Sequence, residues 1–99
     1  MVNCILTNKA VEDLSKIWDY TFEVWSETQA DKYYYMLLEC CQELADEKMN
    51  GKNYQEINED IFGCKVGLHV IFYRKLKGSK IEITRILHSR MDLKSRIQE

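Results

Sequence analysis

An α+β fold, with a helical hairpin packed on a small, mainly antiparallel sheet in the order β-α-α-β-β-β, is predicted by three observations. The chain opens on apolar residues with a period of two, continues through two long stretches of helical period, and gathers its β-branched and aromatic residues after residue 60. Its 99 residues suffice for one domain over 1–99 with one core, and 45% hydrophobic beside 30% charged residues suits a globular chain.

Val2, Cys4 and Leu6 alternate with Asn3, Ile5 and Thr7, the pattern of a short strand with one buried face. Thr7 or Asn8 can cap the helix that follows. Ala10, Val11, Leu14, Ile17, Trp18, Thr21 and Trp25 fall on one arc at about 100° per residue, so Trp18 is expected in the core. Ser26 followed by Gln29 is a capping-box pattern that starts a second helix with almost no loop, which makes the pair an antiparallel hairpin. The second stripe is Ala30, Tyr33, Tyr34, Leu37, Leu38, Cys41, Leu44 and Ala45, and Gly51 is placed to end that helix in a left-handed conformation. Tyr35 and Met36 fall outside the stripe and are candidates for a partner-facing surface. Residues 50–60 are polar and read as a connecting loop. Strands are expected from Ile61 to Val66 and from Leu68 to Leu76, with Gly67 as a turn or bulge. Lys77-Gly78-Ser79 suits a three-residue hairpin loop, and beyond it Ile81, Ile83 and Leu87 alternate with Glu82 and Thr84. Residues 88–99 read as a turn and a short helix.

The formal charge of −2 conceals a split. Residues 1–64 hold 5 basic and 13 acidic side chains, a balance of −8, while residues 65–99 hold 9 and 3, a balance of +6. A basic face suits an acidic partner, protein or nucleic acid, but charge alone favours the blander reading, a dipole that keeps the chain soluble. No apolar run approaches the roughly 20 residues of a membrane span, and Met1-Val2-Asn3-Cys4-Ile5-Leu6 is too short for a signal-peptide core, so a cytoplasmic protein is expected. Cys4, Cys40, Cys41 and Cys64 lack C-x-x-C spacing and read as reduced core thiols.

Little in the sequence carries chemistry. His69 and His88 are not spaced as a ligand pair, and the glycines at 51, 63, 67 and 78 form no phosphate loop or dinucleotide fingerprint, so no metal or cofactor is expected. A basic cluster remains: Lys65, His69, Arg74, Arg85, His88 and Arg90. Such a set can hold a scissile phosphate with an imidazole as general acid or base. It can equally be structural, with Arg74 and Arg85 pairing to Glu82 or to helix carboxylates and the histidines serving strand ends. The residues alone favour the structural reading.

Three segments together resemble the ParE-type toxins of the RelE/ParE toxin–antitoxin superfamily. Leu6-Thr7, Ala10, Asp13-Leu14, Ile17-Trp18 and Tyr20 look like their opening; Val66-Gly67-Leu68-His69-Val70-Ile71-Phe72-Tyr73-Arg74 resembles their central strands; Ile83-Thr84-Arg85-Ile86-Leu87-His88-Ser89-Arg90-Met91-Asp92 resembles their closing motif. The resemblance implies the toxin half of a type II module, held inactive by a ParD-like antitoxin whose C-terminal segment wraps it. It implies action on DNA gyrase as an inhibitor, not a catalyst, with no membrane and no direct nucleic-acid partner. RelE relatives share the fold and cut mRNA on the ribosome, which is the alternative. Ribonuclease members commonly carry a tyrosine or histidine near the C-terminus, whereas this chain ends Leu93-Lys94-Ser95-Arg96-Ile97-Gln98-Glu99. Gyrase inhibition is therefore the expected activity, with Arg85, His88, Arg90, Lys94 and Arg96 as target-contacting candidates and Trp25, Tyr35 and Met36 as antitoxin-contacting candidates.

Overall fold

The computed structural model describes residues 3–90. In chain order the elements are β1 (Cys4–Leu6), α1 (Asn8–Val24), α2 (Glu27–Ala45), β2 (Lys52–Asn53), β3 (Phe62–Val66), β4 (His69–Leu76) and β5 (Lys80–His88). They form a helical hairpin on a five-stranded sheet of order β1-β5-β4-β3-β2, antiparallel except for the β1–β5 pair. The expected order holds, with β2 added inside the segment read as a loop.

Thr7 decides why β1 is so short. Its N–H donates to the Ile83 carbonyl at 3.0 Å, its hydroxyl donates to the Thr84 carbonyl at 2.8 Å, and the same oxygen accepts from the Ala10 N–H at 3.1 Å. One residue thus closes the strand ladder and caps α1, satisfying a donor that the first helical turn leaves unpaired. Ser26 repeats the device, accepting the Gln29 N–H at 3.1 Å, so only Trp25 and Ser26 separate α1 from α2. The end of α2 differs from expectation. Glu47, at φ 61, takes the left-handed position, with Lys48 N–H on the Glu43 carbonyl and Glu47 N–H on the Leu44 carbonyl, a Schellman termination. Gly51 instead permits a close approach: its N–H donates to the Tyr73 hydroxyl at 2.9 Å, and a Cβ there would lie 2.5 Å from that oxygen.

The helices cover one face of the sheet, where Leu14, Leu37, Cys41 and Leu44 pack on Ile71, Tyr73, Ile83 and Ile86. Cys4, Cys41 and Cys64 are buried thiols in this layer and Cys40 lies at its edge. The opposite face has its own core of Ile61, Val70, Phe72 and Leu87, covered by Tyr54 and Ile57. The polar segment 50–60 therefore hides two anchors that keep the second face of the sheet from water, at about 25 cal/mol per Å² of apolar surface removed.

Several sequence expectations fail for one reason: α1 packs against both α2 and β5, and its buried arc is rotated from the predicted one. Val11 and Trp25 are exposed, whereas Asp13, a charged residue, is buried beside Leu14. Trp18 lies outside the core; its indole N–H donates to Asp31 at 3.0 Å and its ring stacks on Phe22 at 5.2 Å. A second failure concerns β5. Phe72 faces Arg85 and Tyr73 faces Ile83, so Thr84 is an extra residue, a β-bulge. Past the bulge the alternation inverts: Ile81, Ile83 and Ile86 face the helices, while Leu87 faces the opposite core.

Candidate functional site: a groove between the hairpin and the strand ends

The bulge has a functional consequence. Were the period-two alternation unbroken through Thr84, His88 would share the face of Phe72; the bulge instead sets His88 across from His69 on the helix-facing side of the sheet, their ring centroids 5.3 Å apart. Here the helices leave a groove of about 860 Å³. The second half of α1 contributes Lys16, Ile17, Tyr20 and Thr21, and the hairpin turn contributes Trp25 and Gln29. Tyr33 forms part of the floor, and Leu68, His69, His88 and Arg90 close the far side. Tyr20, Trp25 and Leu68 expose 67%, 73% and 63% of their surfaces, a cluster of large apolar side chains that a solitary protein rarely shows.

The polar end is wired by hydrogen bonds to the Nδ1 atoms of both imidazoles. The Tyr33 oxygen accepts the Leu68 N–H at 3.1 Å and lies 2.6 Å from His69 Nδ1. When the Tyr33 hydroxyl donates to Nδ1, a neutral His69 carries its hydrogen on Nε2; in the other tautomer Nδ1–H donates to the Tyr33 oxygen. Burial, the neighbouring His88 and, against them, Asp13 set the protonation equilibrium of His69, lowering its pKa to about 4. Burial likewise raises the Tyr33 pKa, opposed by the Leu68 N–H. His88 receives the Arg90 backbone N–H on Nδ1 at 3.1 Å, which again places a neutral ring's hydrogen on Nε2. Gly67, at φ 58 in the two-residue turn between β3 and β4, makes this arrangement possible, because a Cβ there would come within 2.8 Å of the Tyr33 oxygen.

A buried ion pair joins α1 to β5. Past Leu6 the outer edge of β5 has no neighbouring strand among the described residues, and Asp13 of α1 takes the place of one. Its carboxylate accepts the Ile86 N–H at 3.0 Å and binds Arg85 through Nε at 2.8 Å and Nη2 at 3.1 Å. The side chains of Arg85 and Asp13 are only 14% and 9% exposed. Arg85 thus serves the fold, as the structural reading of the basic cluster anticipated, and Arg74 lies 4.0 Å from Glu82.

Of the target-contacting candidates, His88 and Arg90 come together on the groove, Arg85 lies inward on Asp13, and Lys94 and Arg96 fall outside the described residues. Of the antitoxin-contacting candidates, Trp25 lines the same groove. Tyr35 is exposed on the outer side of α2, 5.7 Å edge-to-face from Tyr34. Met36 is half-buried against the main core and lines a surface pocket on α2 together with Tyr35. Sequence reasoning missed Lys16, Tyr20, Tyr33 and Leu68 as groove residues, and only the exposure of Tyr20 off the apolar arc hinted at one of them. Among the described residues no group of three His, Cys, Asp or Glu could hold a metal ion, and no helix is long and apolar enough to cross a membrane.

Known proteins match this chain along most of its length. The family model described as the ParE toxin of the type II toxin–antitoxin system parDE matches residues 4–93. Toxin ParE1 of Mycobacterium tuberculosis (strain CDC 1551 / Oshkosh) is 32% identical over 89 residues, covering 90% of this chain and 91% of the relative. Toxin ParE1 of Caulobacter vibrioides is 30% identical over 92 residues, covering 93% and 94%. Among solved structures, a chain of the chromosomal ParDE TA system from P. aeruginosa superposes with a TM-score of 0.72 at 21% identity, over 87% of this chain and 94% of that one, a likeness of fold. With the family model spanning nearly the whole sequence and two relatives at this level of identity, the chain belongs to the ParE toxin family of type II toxin–antitoxin systems.

Proposed function

We propose that this toxin acts as a protein-binding inhibitor of DNA gyrase and that a ParD-like antitoxin silences it by occupying the groove. The observation that carries the reading is the joining of Trp25 with His88 and Arg90 in one groove. A single antitoxin segment seated there covers the residues held to contact the target, so binding and neutralisation become one event. Its apolar anchors enter between Ile17, Tyr20 and Trp25, in the manner of an amphipathic segment in a groove. Tyr35 offers a further contact on the hairpin's outer side, and Met36, being partly packed inward, contributes less.

The test incubates the purified protein with gyrase, supercoiled plasmid and ATP, then looks for linear DNA after detergent and protease. Ribosomes with mRNA are run in parallel. Linear DNA without mRNA cuts supports gyrase poisoning. Cleaved mRNA with intact plasmid replaces that reading with a ribonuclease built on the His69–His88 pair and Arg90, whose 5.3 Å ring separation suits acid–base work on a phosphodiester. Trp25→Ala is expected to weaken antitoxin capture at least tenfold, as removal of a large aromatic anchor typically does.

A further inference from the structure

The two ends of the groove differ in chemistry. Its walls at Ile17, Tyr20, Trp25 and Leu68 are apolar or aromatic, whereas its far end is built from hydrogen-bond donors. Nδ1 of His88 accepts the Arg90 N–H, so a neutral His88 offers its Nε2–H, and His69 offers the same when the Tyr33 hydroxyl donates to its Nδ1. Arg90 and Lys16 add the charged donors, and no Asp or Glu is among the described residues lining the groove. A cation placed there would find no carboxylate among the described lining residues. An anion is matched on every side. Among the described residues only two fixed cations line the groove, the walls are apolar, and α1 also carries the exposed Glu12, Asp19 and Glu23, an environment hostile to a polyanionic strand.

We infer that this end of the groove is a carboxylate subsite, fitted to an Asp or Glu side chain of a peptide whose adjacent aromatic or aliphatic residue packs between Tyr20 and Trp25. The inference rests on the antitoxin reading above and names the chemistry that reading requires: an acidic residue beside an apolar anchor, in a segment that runs past the groove and does not end in it. Charge-assisted hydrogen bonds to the carboxylate fix the register of the segment, and the apolar walls supply the contact area.

The experiment uses the whole protein and small probes. 3-Phenylpropionate combines an aromatic anchor with a carboxylate, and 3-phenylpropionamide has the same shape without the charge. The chain has 2 histidines, so their imidazole Cε1–H signals can be followed by NMR during titration. The acid is expected to shift both signals saturably and to bind about tenfold or more tightly than the amide, the difference a charged hydrogen bond makes. Arg90→Met should remove most of that preference while leaving amide binding unchanged. Equal binding of acid and amide would overturn the subsite, as would inorganic phosphate shifting the signals at lower concentration than the acid, which would instead indicate a nucleic-acid site. Failure of the subsite is separable from failure of the antitoxin reading. If the purified antitoxin forms a complex that Arg90→Met and His88→Asn leave unweakened, the carboxylate subsite is wrong and the antitoxin reading stands. If the acid binds as described but no antitoxin complex forms, the antitoxin reading falls and the subsite survives.

Discussion

Replacing Asp13 tests how β5 is held against α1. Its carboxylate meets three donors, the Arg85 Nε and Nη2 and the Ile86 N–H, in a site where both side chains are nearly closed to water. Asp13→Ala leaves a guanidinium without its carboxylate and a strand N–H without an acceptor. Removing one member of a buried pair costs about 3–5 kcal/mol, a large part of the roughly 5–15 kcal/mol that holds a small protein folded. Asp13→Asn keeps an acceptor for Ile86 and should lose less, about 1.5–3 kcal/mol, because charge assistance goes but the hydrogen bond can remain. In the double variant Asp13→Ala, Arg85→Met the guanidinium leaves together with its carboxylate, and the residual cost falls towards that of the orphaned Ile86 N–H, about 1–3 kcal/mol. The two substitutions should therefore couple by more than about 1 kcal/mol in a double-mutant cycle. Urea unfolding followed by tryptophan fluorescence measures all four proteins. A loss below about 1 kcal/mol for Asp13→Ala, or coupling indistinguishable from zero, would refute the claim that this pair substitutes for a missing strand.

Other expectations follow from single observations. Phe72→Ala should cost about 3–5 kcal/mol, while Trp18→Ala should cost clearly less because the ring lies outside the core; equal losses by urea unfolding would contradict that placement. Gly51→Ala should destabilise by about 1–3 kcal/mol through the clash with Tyr73, and a variant as stable as wild type would show that the tyrosine yields. His69 binds its proton less readily in the folded chain than in the unfolded one, so the unfolded state takes up more protons as pH falls. Stability is therefore full above about 6.5 and declines towards about 4, with a slope below about 1.4 kcal/mol per pH unit because the ring is only partly buried. His69→Phe should flatten that window, and an unchanged acid slope would assign it to other groups. Arg90→Ala should leave the unfolding midpoint unchanged, whereas Arg85→Ala should lower it, so a toxicity assay on Arg85 variants must be corrected for folding.

Element types and order were legible because they depend on local rules: Thr7 and Ser26 as caps, helical period through Leu14 and Leu37, and β-branched runs after Ile61. The turn at Lys77-Gly78-Ser79 was equally plain, with Gly78 and Ser79 both at positive φ as a tight loop demands. Family membership was legible too, since it lies in short ordered motifs. The site was legible only in pieces. Trp25, His88 and Arg90 stood out singly, yet 63 residues separate Trp25 from His88, and nothing local joins them. Their meeting depends on three decisions taken in three dimensions. The inserted Thr84 moves His88 to the helix-facing side, Asp13 docks α1 along the open edge of β5, and Gly67 lets Tyr33 reach Leu68 and His69. A period-two pattern cannot reveal a bulge, because one extra residue inverts every side chain after it while leaving the composition untouched. A buried charge such as Asp13 is likewise invisible to hydrophobic periodicity, since its burial is tolerated only by partners 72 and 73 residues away.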